Sequence, residues 1–271
     1  MSLTRLERVF GAEAPSNCRI GRPAYRKALI CFLTCGDPDL NCTIDLVKAV
    51  AAAGADIVEL GIPFSDPLAD GPTIQSSSYR ALQAGTTVSD VIKCVEAIRE
   101  ASEVPLVLMT YFNPVYNYGL ERFANDAASA GADGVIMTDL PIEEIAQWKS
   151  VADTAELATV LLVAPTSTKE RIERIAKMAS GFIYCVSRTG VTGAGDTLPG
   201  EVVELVNRTK SVTDLPVVVG FGISKPEHVN KVLQYADGAV VGSALVDLIA
   251  RHHHTGDVLE RVSEFVRSLK G

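Results

Sequence analysis

Residues 56–75 read DIVELGIPFSDPLADGPTIQ, and this stretch indicates both the fold and the functional site. It begins as an apolar strand that holds one carboxylate, Glu59. It then breaks into a loop that carries three prolines and two further acids, Asp66 and Asp70. An acid inside an apolar run is costly to bury unless it is paired or used in chemistry. A stiff loop that brings a second carboxylate near the first therefore predicts a site, which the rest of the chain supports.

Length and composition predict one soluble barrel domain over residues 1–271. The chain has 271 residues, which suits a (β/α)8 barrel, and its hydrophobic share of 47% is typical of a globular protein. The net charge is −8, and no basic stripe of the kind that nucleic acid requires is visible. The six cysteines show no zinc spacing, so no metal site is expected.

The N-terminal segment MSLTRLERVF predicts a short amphipathic helix that precedes the barrel. It lacks the apolar core of a signal peptide, and no apolar run in the sequence reaches membrane-spanning length. These features predict a cytoplasmic protein.

From about residue 28 onward, short apolar runs rich in β-branched residues alternate with longer segments of helical periodicity. The predicted strands are Ala28–Thr34, Asp56–Gly61, Pro105–Thr110, Gly134–Thr138, Ala158–Val163, Phe182–Ser187, Pro216–Val219 and Gly238–Val241. The predicted helices are Asp39–Ala53, Val88–Ala101, Leu120–Ala130, Glu143–Asp153, Lys169–Ala179, Leu198–Arg208, Lys225–Tyr235 and Val258–Leu269.

A small signature joins several helices to the strand that follows. It is AGAD at residues 53–56 and 130–133, and ADG at residues 236–238. Glycine permits a tight turn at the end of a helix, and the recurrence indicates a repeated βα unit. Eight such units favour an α/β fold closed into a TIM barrel. An open doubly wound sheet is the alternative, but no G-x-G-x-x-G follows the first strand.

Barrel enzymes carry their chemistry at the carboxyl ends of the strands. The unusual residues of this chain follow predicted strands. They are CGDPD at 35–39, the opening stretch, a polar and aromatic loop YFNPVYNYG at 111–119, DLP at 139–141, RTGVTGAGDTLP at 188–199, GFGIS at 220–224 and GSA at 242–244.

Three glycine-bearing loops after the last strands predict a phosphate site. They contain Gly193, Gly222, and Gly242 with Ser243. Glycine lets backbone N–H groups approach an anion closely, and the helix that starts at Ala244 adds its positive end. The alternative is that these glycines only form tight turns.

The acid in the strand and the two acids in the loop each have more than one interpretation. Glu59 is either a catalytic acid or base, or a buried carboxylate satisfied by a neighbour, and we favour catalysis because isolated core glutamates are rare. Asp66 and Asp70 each lie in turn-forming sequences, and spacing alone does not choose between them.

One set of motifs extends over essentially the whole chain: PFSDPLADGPTIQ after VELG, with GDPD, NPVYNYG, DLP, SRTGVTGA, GFGIS and GSA. Together these motifs resemble the tryptophan synthase α subunit family. The resemblance implies a lyase that cleaves indole-3-glycerol phosphate to indole and glyceraldehyde 3-phosphate by a retro-aldol reaction. By the resemblance, Glu59 transfers protons and Asp70 stabilises the indole nitrogen. Asp66 then belongs to the loop scaffold and partner face.

The resemblance also implies further substrate contacts and a partner. Tyr184 lies beside the indole site, and Thr192 belongs to a mobile loop that closes over substrate. Apart from the resemblance, Phe32, Phe221, Ile74 and Met109 are candidate walls of an apolar indole pocket, and the alternative for each is a place in the core. The glycine corner is expected to hold the phosphate. The family works as an αββα complex, in which the β subunit carries pyridoxal phosphate and this chain carries no cofactor.

Three alternatives share parts of this site. A stand-alone lyase would release free indole without a β subunit. A non-catalytic activator of β would not need Glu59, Asp70 and Thr192, which are all present. Another phosphate-binding barrel, such as a sugar-phosphate isomerase, would share the glycine corner but would not need the acidic loop.

Overall fold

The computed structural model describes residues 4–13, 24–186, 200–220 and 222–270. A two-residue antiparallel ribbon, β1 and β2, precedes the larger sheet. The strands are β1 (Ala12–Glu13), β2 (Ala24–Tyr25), β3 (Ala28–Thr34), β4 (Ile57–Gly61), β5 (Leu106–Thr110), β6 (Gly134–Met137), β7 (Ala158–Val163), β8 (Ile183–Val186), β9 (Val217–Gly220) and β10 (Gly238–Val241).

Strands β3 to β10 lie within the described ranges and close into an eight-stranded barrel. Each strand pairs in parallel with the next along the chain, and β10 pairs with β3, where Val241 lies opposite Cys31. The TIM barrel prediction is therefore confirmed, and each predicted strand differs from the observed one by no more than about one residue at either end. The short ribbon was not predicted, because two-residue strands leave no periodic pattern.

The helices in the described ranges surround the barrel, with the first at its bottom and the others on its outside. They are α1 (Arg5–Phe10), α2 (Leu40–Ala53), α3 (Pro72–Gln83), α4 (Val88–Arg99), α5 (Phe112–Tyr118), α6 (Leu120–Ala130), α7 (Ile145–Thr154), α8 (Lys169–Met178), α9 (Gly200–Lys210), α10 (Pro226–Leu233), α11 (Ser243–His252) and α12 (Val258–Lys270). None of these helices has the length and apolar run needed to cross a bilayer.

Two loop predictions were wrong. Residues 111–119 contain the helix α5, and the opening stretch runs into α3 at Pro72. Proline is tolerated in the first turn of a helix, where its missing N–H has no partner to lose. Pro72 is the first residue of α3, and Pro114 lies in the first turn of α5. In both segments proline marks the start of a helix, although it was interpreted as a sign of a loop.

The predicted N-terminal helix is present as α1, and it closes the bottom of the barrel. Leu6 and Phe10 are buried in the cluster that fills the barrel interior, together with Ile30, Ile57 and other inward-facing residues. The Phe10 ring lies 5.9 Å from the ring of Phe182, which precedes β8. A second cluster packs the outer faces of the strands against the helices.

The recurrent AGAD and ADG signatures have a second role, which the sequence did not reveal. In each one the aspartate side chain accepts a hydrogen bond from a backbone N–H at the start of the neighbouring strand. The pairs are Asp56 with Leu29 (2.7 Å), Asp133 with Leu106 (2.8 Å) and Asp237 with Val217 (3.0 Å). Gly54 and Gly131 act as expected, since they end their helices in the left-handed conformation, whereas Gly238 of the ADG signature is the first residue of β10.

Each of these aspartates also pairs with a cation. Asp133 is an enclosed example, because its side chain is 7% exposed and contacts Arg99 at 3.1 Å and Arg5 at 3.2 Å. Arg5 belongs to α1, so Asp133 ties the N-terminal helix to the barrel. The amino ends of the strands are therefore held by polar contacts, and the carboxyl ends are left for the site.

We predict that Asp133→Ala lowers the free energy of unfolding by about 3 kcal/mol, because it leaves the Leu106 N–H without its acceptor and removes the carboxylate that pairs with Arg5 and Arg99. Urea unfolding measures this loss. The matched control is Asp153→Ala, which removes an exposed aspartate from its pair with Lys149 and should cost under about 1 kcal/mol. Equal losses in the two variants would contradict the proposed role of Asp133.

Candidate active site

Glu59 lies at the middle of β4, and its side chain faces the barrel interior. Side chains alternate along a strand, and its neighbour Ile57 belongs to the interior cluster, whereas Val58 and Leu60 face the helices. Glu59 is 0% exposed, and neither carboxylate oxygen has a hydrogen-bond partner among the described residues. Burial raises the pKa of Glu59 from 4.5 to about 8. The carboxyl group is therefore mostly neutral at pH 7.

Apolar residues surround this carboxyl group. In the strand register Glu59 pairs with Phe32 on one side and with Val107 on the other. Phe32 is nearly buried at the same level of the barrel. It lies against Gly61, where a Cβ would be 2.7 Å from the Phe32 ring. A glycine at the end of β4 thus makes room for an aromatic wall beside the acid.

Tyr184 of β8 faces the same interior space. Burial raises its pKa well above the usual value, and the nearby charges of Glu59 and Asp70 raise it further. Tyr184 is therefore within electrostatic range of both carboxyl groups. A Cβ at Gly220 would lie 2.1 Å from the Tyr184 hydroxyl oxygen, so only glycine fits opposite the ring at the end of β9.

Asp70 is half-buried in the loop between β4 and α3. Burial raises its pKa from 3.8 to about 6, and a hydrogen bond from Tyr111 opposes that rise. Asp70 is consequently mostly ionised at pH 7, whereas Glu59 is mostly neutral. Two carboxyl groups of one short segment therefore differ in protonation because the barrel interior buries one of them more completely.

The segment that follows Asp70 is anchored to the first strand of the barrel. Ser77 on α3 and Thr34 at the end of β3 share a buried hydrogen bond of 2.7 Å. Arg80, one turn further along α3, makes two hydrogen bonds to Asp37, at 2.8 and 2.7 Å. The helix after the acidic loop is thereby fixed to the barrel wall that also carries Phe32.

Asp66 lies apart from this interior space. It is exposed and accepts a hydrogen bond of 2.5 Å from the neighbouring Ser65 hydroxyl group. Of the two loop acids that spacing could not separate, only Asp70 is brought toward Tyr184.

The predicted phosphate corner is described in part. Gly220 pairs with Val240, so the loops that contain Gly222 and Gly242 leave neighbouring strands. Gly242 precedes α11, which begins at Ser243 and has no side-chain cap at its first turn. A Cβ at Gly242 would lie 3.5 Å from the Cβ of Phe32, so this corner adjoins the aromatic wall. Thr192, Gly193 and Phe221 lie outside the described residues.

Sequence reasoning missed Tyr111, the residue between β5 and α5. Its hydroxyl oxygen accepts a hydrogen bond of 2.9 Å from the backbone N–H of Ala69 and bonds the carboxylate of Asp70. Its position directly after a predicted strand could have indicated a site residue. Because residues 111–119 were predicted as a loop, however, the orientation of the side chain could not be inferred. Within the described ranges, no group of His, Cys, Asp or Glu could hold a metal ion.

Comparison with known proteins identifies the family. Residues 22–271 match the family model described as tryptophan synthase alpha chain. The chain belongs to this family. The tryptophan synthase alpha chain of Caldanaerobacter subterraneus subsp. tengcongensis is 50% identical over 245 residues, which are 90% of this chain and 93% of the relative. That of Solibacter usitatus is 47% identical over 268 residues, 99% of this chain and 97% of the relative.

Solved structures agree with the family assignment. The alpha subunit from Legionella pneumophila superposes with a TM-score of 0.86 at 33% identity and covers 99% of this chain and 98% of its own. A structure of the tryptophan synthase a2b2 complex from Pyrococcus furiosus gives a TM-score of 0.85 at 41% identity, over 90% of this chain and 98% of its own. The tryptophan synthase alpha chain family catalyses the lyase half-reaction that cleaves indole-3-glycerol phosphate.

The buried, unpartnered Glu59 makes stability depend on pH in a defined direction. The folded protein holds a proton on Glu59 that the unfolded chain loses above about pH 4.5, so the contribution of Glu59 to stability is greatest at acidic pH and falls as pH rises toward about 8. We predict that Glu59→Gln, which cannot ionise, is more stable than the native chain by about 4 kcal/mol at pH 8 and by little at pH 4.5.

Thermal unfolding across this pH range measures the difference between the two proteins. Glu100→Gln is the control, because Glu100 is exposed, and its difference from the native chain should not grow with pH. A Glu59→Gln difference that is the same at all pH values would contradict the neutral, buried state of Glu59.

Proposed function

We propose that Glu59 and Asp70 carry the family reaction in this chain, the retro-aldol cleavage of indole-3-glycerol phosphate to indole and D-glyceraldehyde 3-phosphate. The observation that supports this proposal most directly is a fully buried carboxyl group on the wall of an apolar barrel interior, with no hydrogen-bond partner among the described residues. Its burial raises the pKa of Glu59 to about 8. Such a group is poised to exchange protons with a bound substrate.

The bond changes assign a role to each acid. Glu59 gives its proton to the indole carbon that bears the side chain, and the ring nitrogen becomes positively charged. A base then takes the proton of the side-chain hydroxyl group, the C–O bond becomes a carbonyl, and the electrons of the broken C–C bond return to the ring. The Glu59 carboxylate formed in the first step is the nearest base for the second, so no net proton is consumed.

Asp70 acts on the opposite edge of the indole. An ionised carboxylate that accepts the ring N–H stabilises the positive charge as it develops in the transition state. The required states, neutral Glu59 and ionised Asp70, coexist between about pH 6 and about pH 8. The separation of the two pKa values thus matches the division of labour.

Binding groups are proposed around these acids. Phe32 and Tyr184 form apolar walls for the indole ring, and Phe221 completes the pocket. Backbone N–H groups at Gly193, Gly222, Gly242 and Ser243 hold the phosphate at the positive end of α11. Thr192 is proposed to contact Asp70 when substrate is bound.

The partner of this chain is a tryptophan synthase β subunit, in an αββα assembly of the kind that the Pyrococcus furiosus complex represents. We propose that pyridoxal phosphate belongs to β, that this chain carries no cofactor, and that the complex acts in the cytoplasm. The proposed docking face combines the acidic loop with α5, where Leu68 is 93% and Tyr116 63% exposed. Large exposed apolar side chains of this kind mark interaction sites.

We predict that Glu59→Gln lowers the rate of indole release by at least about a hundredfold, because the amide can neither give nor take the reacting proton. An indole-release assay on the isolated chain measures the rate. Asp66→Asn is the control, because Asp66 is exposed and lies apart from the interior. Near-normal release by Glu59→Gln would contradict the mechanism, and release that added β does not increase would identify a stand-alone lyase.

We also predict that Tyr116→Ser weakens binding to β about tenfold, because it removes an exposed aromatic group from the proposed docking face. Titration of β into the labelled chain measures the dissociation constant. The matched control is Tyr235→Ser, since Tyr235 is 42% exposed but precedes β10, at the other end of the barrel. Equal weakening by both substitutions would move the docking face elsewhere.

A further inference from the structure

The side chain of Tyr111 connects the acidic loop to the neighbouring βα junction. Tyr111 follows β5 and precedes α5, and it is only 5% exposed. Its hydroxyl oxygen accepts a 2.9 Å hydrogen bond from the backbone N–H of Ala69. Its ring packs against Phe64 at a centroid distance of 5.2 Å. One residue from another βα unit therefore contacts the loop that carries Asp70 at two positions, Phe64 and Ala69.

The direction of the second hydrogen bond follows from the chemistry of the groups. An ionised carboxylate only accepts, so between Tyr111 and Asp70 the phenol must donate. The Ala69 N–H occupies an oxygen lone pair and leaves the phenolic proton free for Asp70. Burial raises the pKa of Tyr111 to about 12, so the phenol remains a donor across the working pH range.

Tyr111 is itself held in place before substrate binds. The backbone N–H of Phe112, the next residue, donates a 2.7 Å hydrogen bond to the carboxylate of Asp139, in the loop after β6. The first turn of α5 is therefore capped from the adjacent βα unit, since Tyr111 makes no side-chain cap of its own. A donor fixed in this way orients an acceptor without the cost of ordering it at the moment of reaction.

We infer that Tyr111 is a positioning residue for the lyase reaction, which holds the loop beside Asp70 through the Ala69 N–H and directs the Asp70 carboxylate toward the indole N–H. This inference rests on the role proposed for Asp70. Tyr111 acts through Asp70 and touches neither the reacting carbon nor the hydroxyl group that becomes the aldehyde.

The effect on pH dependence has a definite sign. The ionisable groups that face Asp70 in the described residues are Tyr111 from the β5–α5 junction and Tyr184 from β8, which also faces Glu59. Loss of the Tyr111 donor removes the contact that opposes the raised pKa of Asp70, so that pKa rises further above about 6. Activity that needs the ionised form must then begin at a higher pH.

The test is the pH profile of indole release by the full chain with the substitution Tyr111→Phe. We expect the acidic limb of the profile to move upward by roughly one pH unit, since a hydrogen bond to a charged group is lost. The rate at about pH 5.5 should fall about tenfold, and the rate near pH 7.5 should fall much less. Tyr25→Phe is the control, because it removes a tyrosine hydroxyl group that bonds the Asp214 carbonyl far from the site, and its profile should match the native one.

A second series separates positioning from simple loss of stability. A loss of stability alone would lower the rate at every pH without moving the acidic limb, and thermal unfolding of Tyr111→Phe at about pH 5.5 and about pH 7.5 measures that loss independently. A Tyr111→Phe profile with its limbs unmoved, even if scaled down at every pH, would overturn the inference. Failure of the proposed function would look different, since Glu59→Gln would then keep its activity whatever Tyr111 does.

Discussion

The burial of one carboxyl group without a partner is the constraint on which the site depends. Glu59 is enclosed by the strands of a closed barrel, where no described residue hydrogen-bonds to it. The cost of ionising it there keeps the group neutral up to about pH 8. A paired glutamate on the same strand would be easier to accommodate but would be ionised at neutral pH and unable to give a proton. The loss of stability and the capacity for catalysis are therefore both consequences of burying Glu59 in the barrel interior.

The two ends of the barrel have different roles in maintaining this placement of Glu59. At the amino ends of the strands, aspartates such as Asp133 bind neighbouring strand N–H groups and cations, and α1 fills the opening. At the carboxyl ends, polar contacts such as Thr34 with Ser77 serve to hold the loop that presents Asp70. Stabilising contacts and catalytic groups thus lie at opposite ends of the barrel. The site can therefore contain a carboxyl group without a hydrogen-bond partner among the described residues while the barrel stays closed.

The sequence predicted those features that repeat or that break a pattern. Continuous apolar runs gave the eight barrel strands, and a single acid within one of them drew attention to Glu59. Features that depend on contacts between distant units were missed. The short helix α5 spans only two turns and contains a proline, so its sequence resembles that of a loop. The orientation of the Tyr111 side chain, which precedes α5, could therefore not be predicted. The raised pKa of Asp70 depends on burial by residues of other βα units, which the spacing within the loop does not encode.

Infrared difference spectroscopy measures the protonation state of Glu59 directly. The spectrum of Glu59→Gln is subtracted from that of the native chain at a series of pH values, which isolates the carboxyl band of this residue. We expect the band of a neutral carboxylic acid at pH 7, replaced by carboxylate bands as pH rises through about 8. Carboxylate bands already complete at about pH 5.5 would contradict it, because they would require a partner that stabilises the charged form.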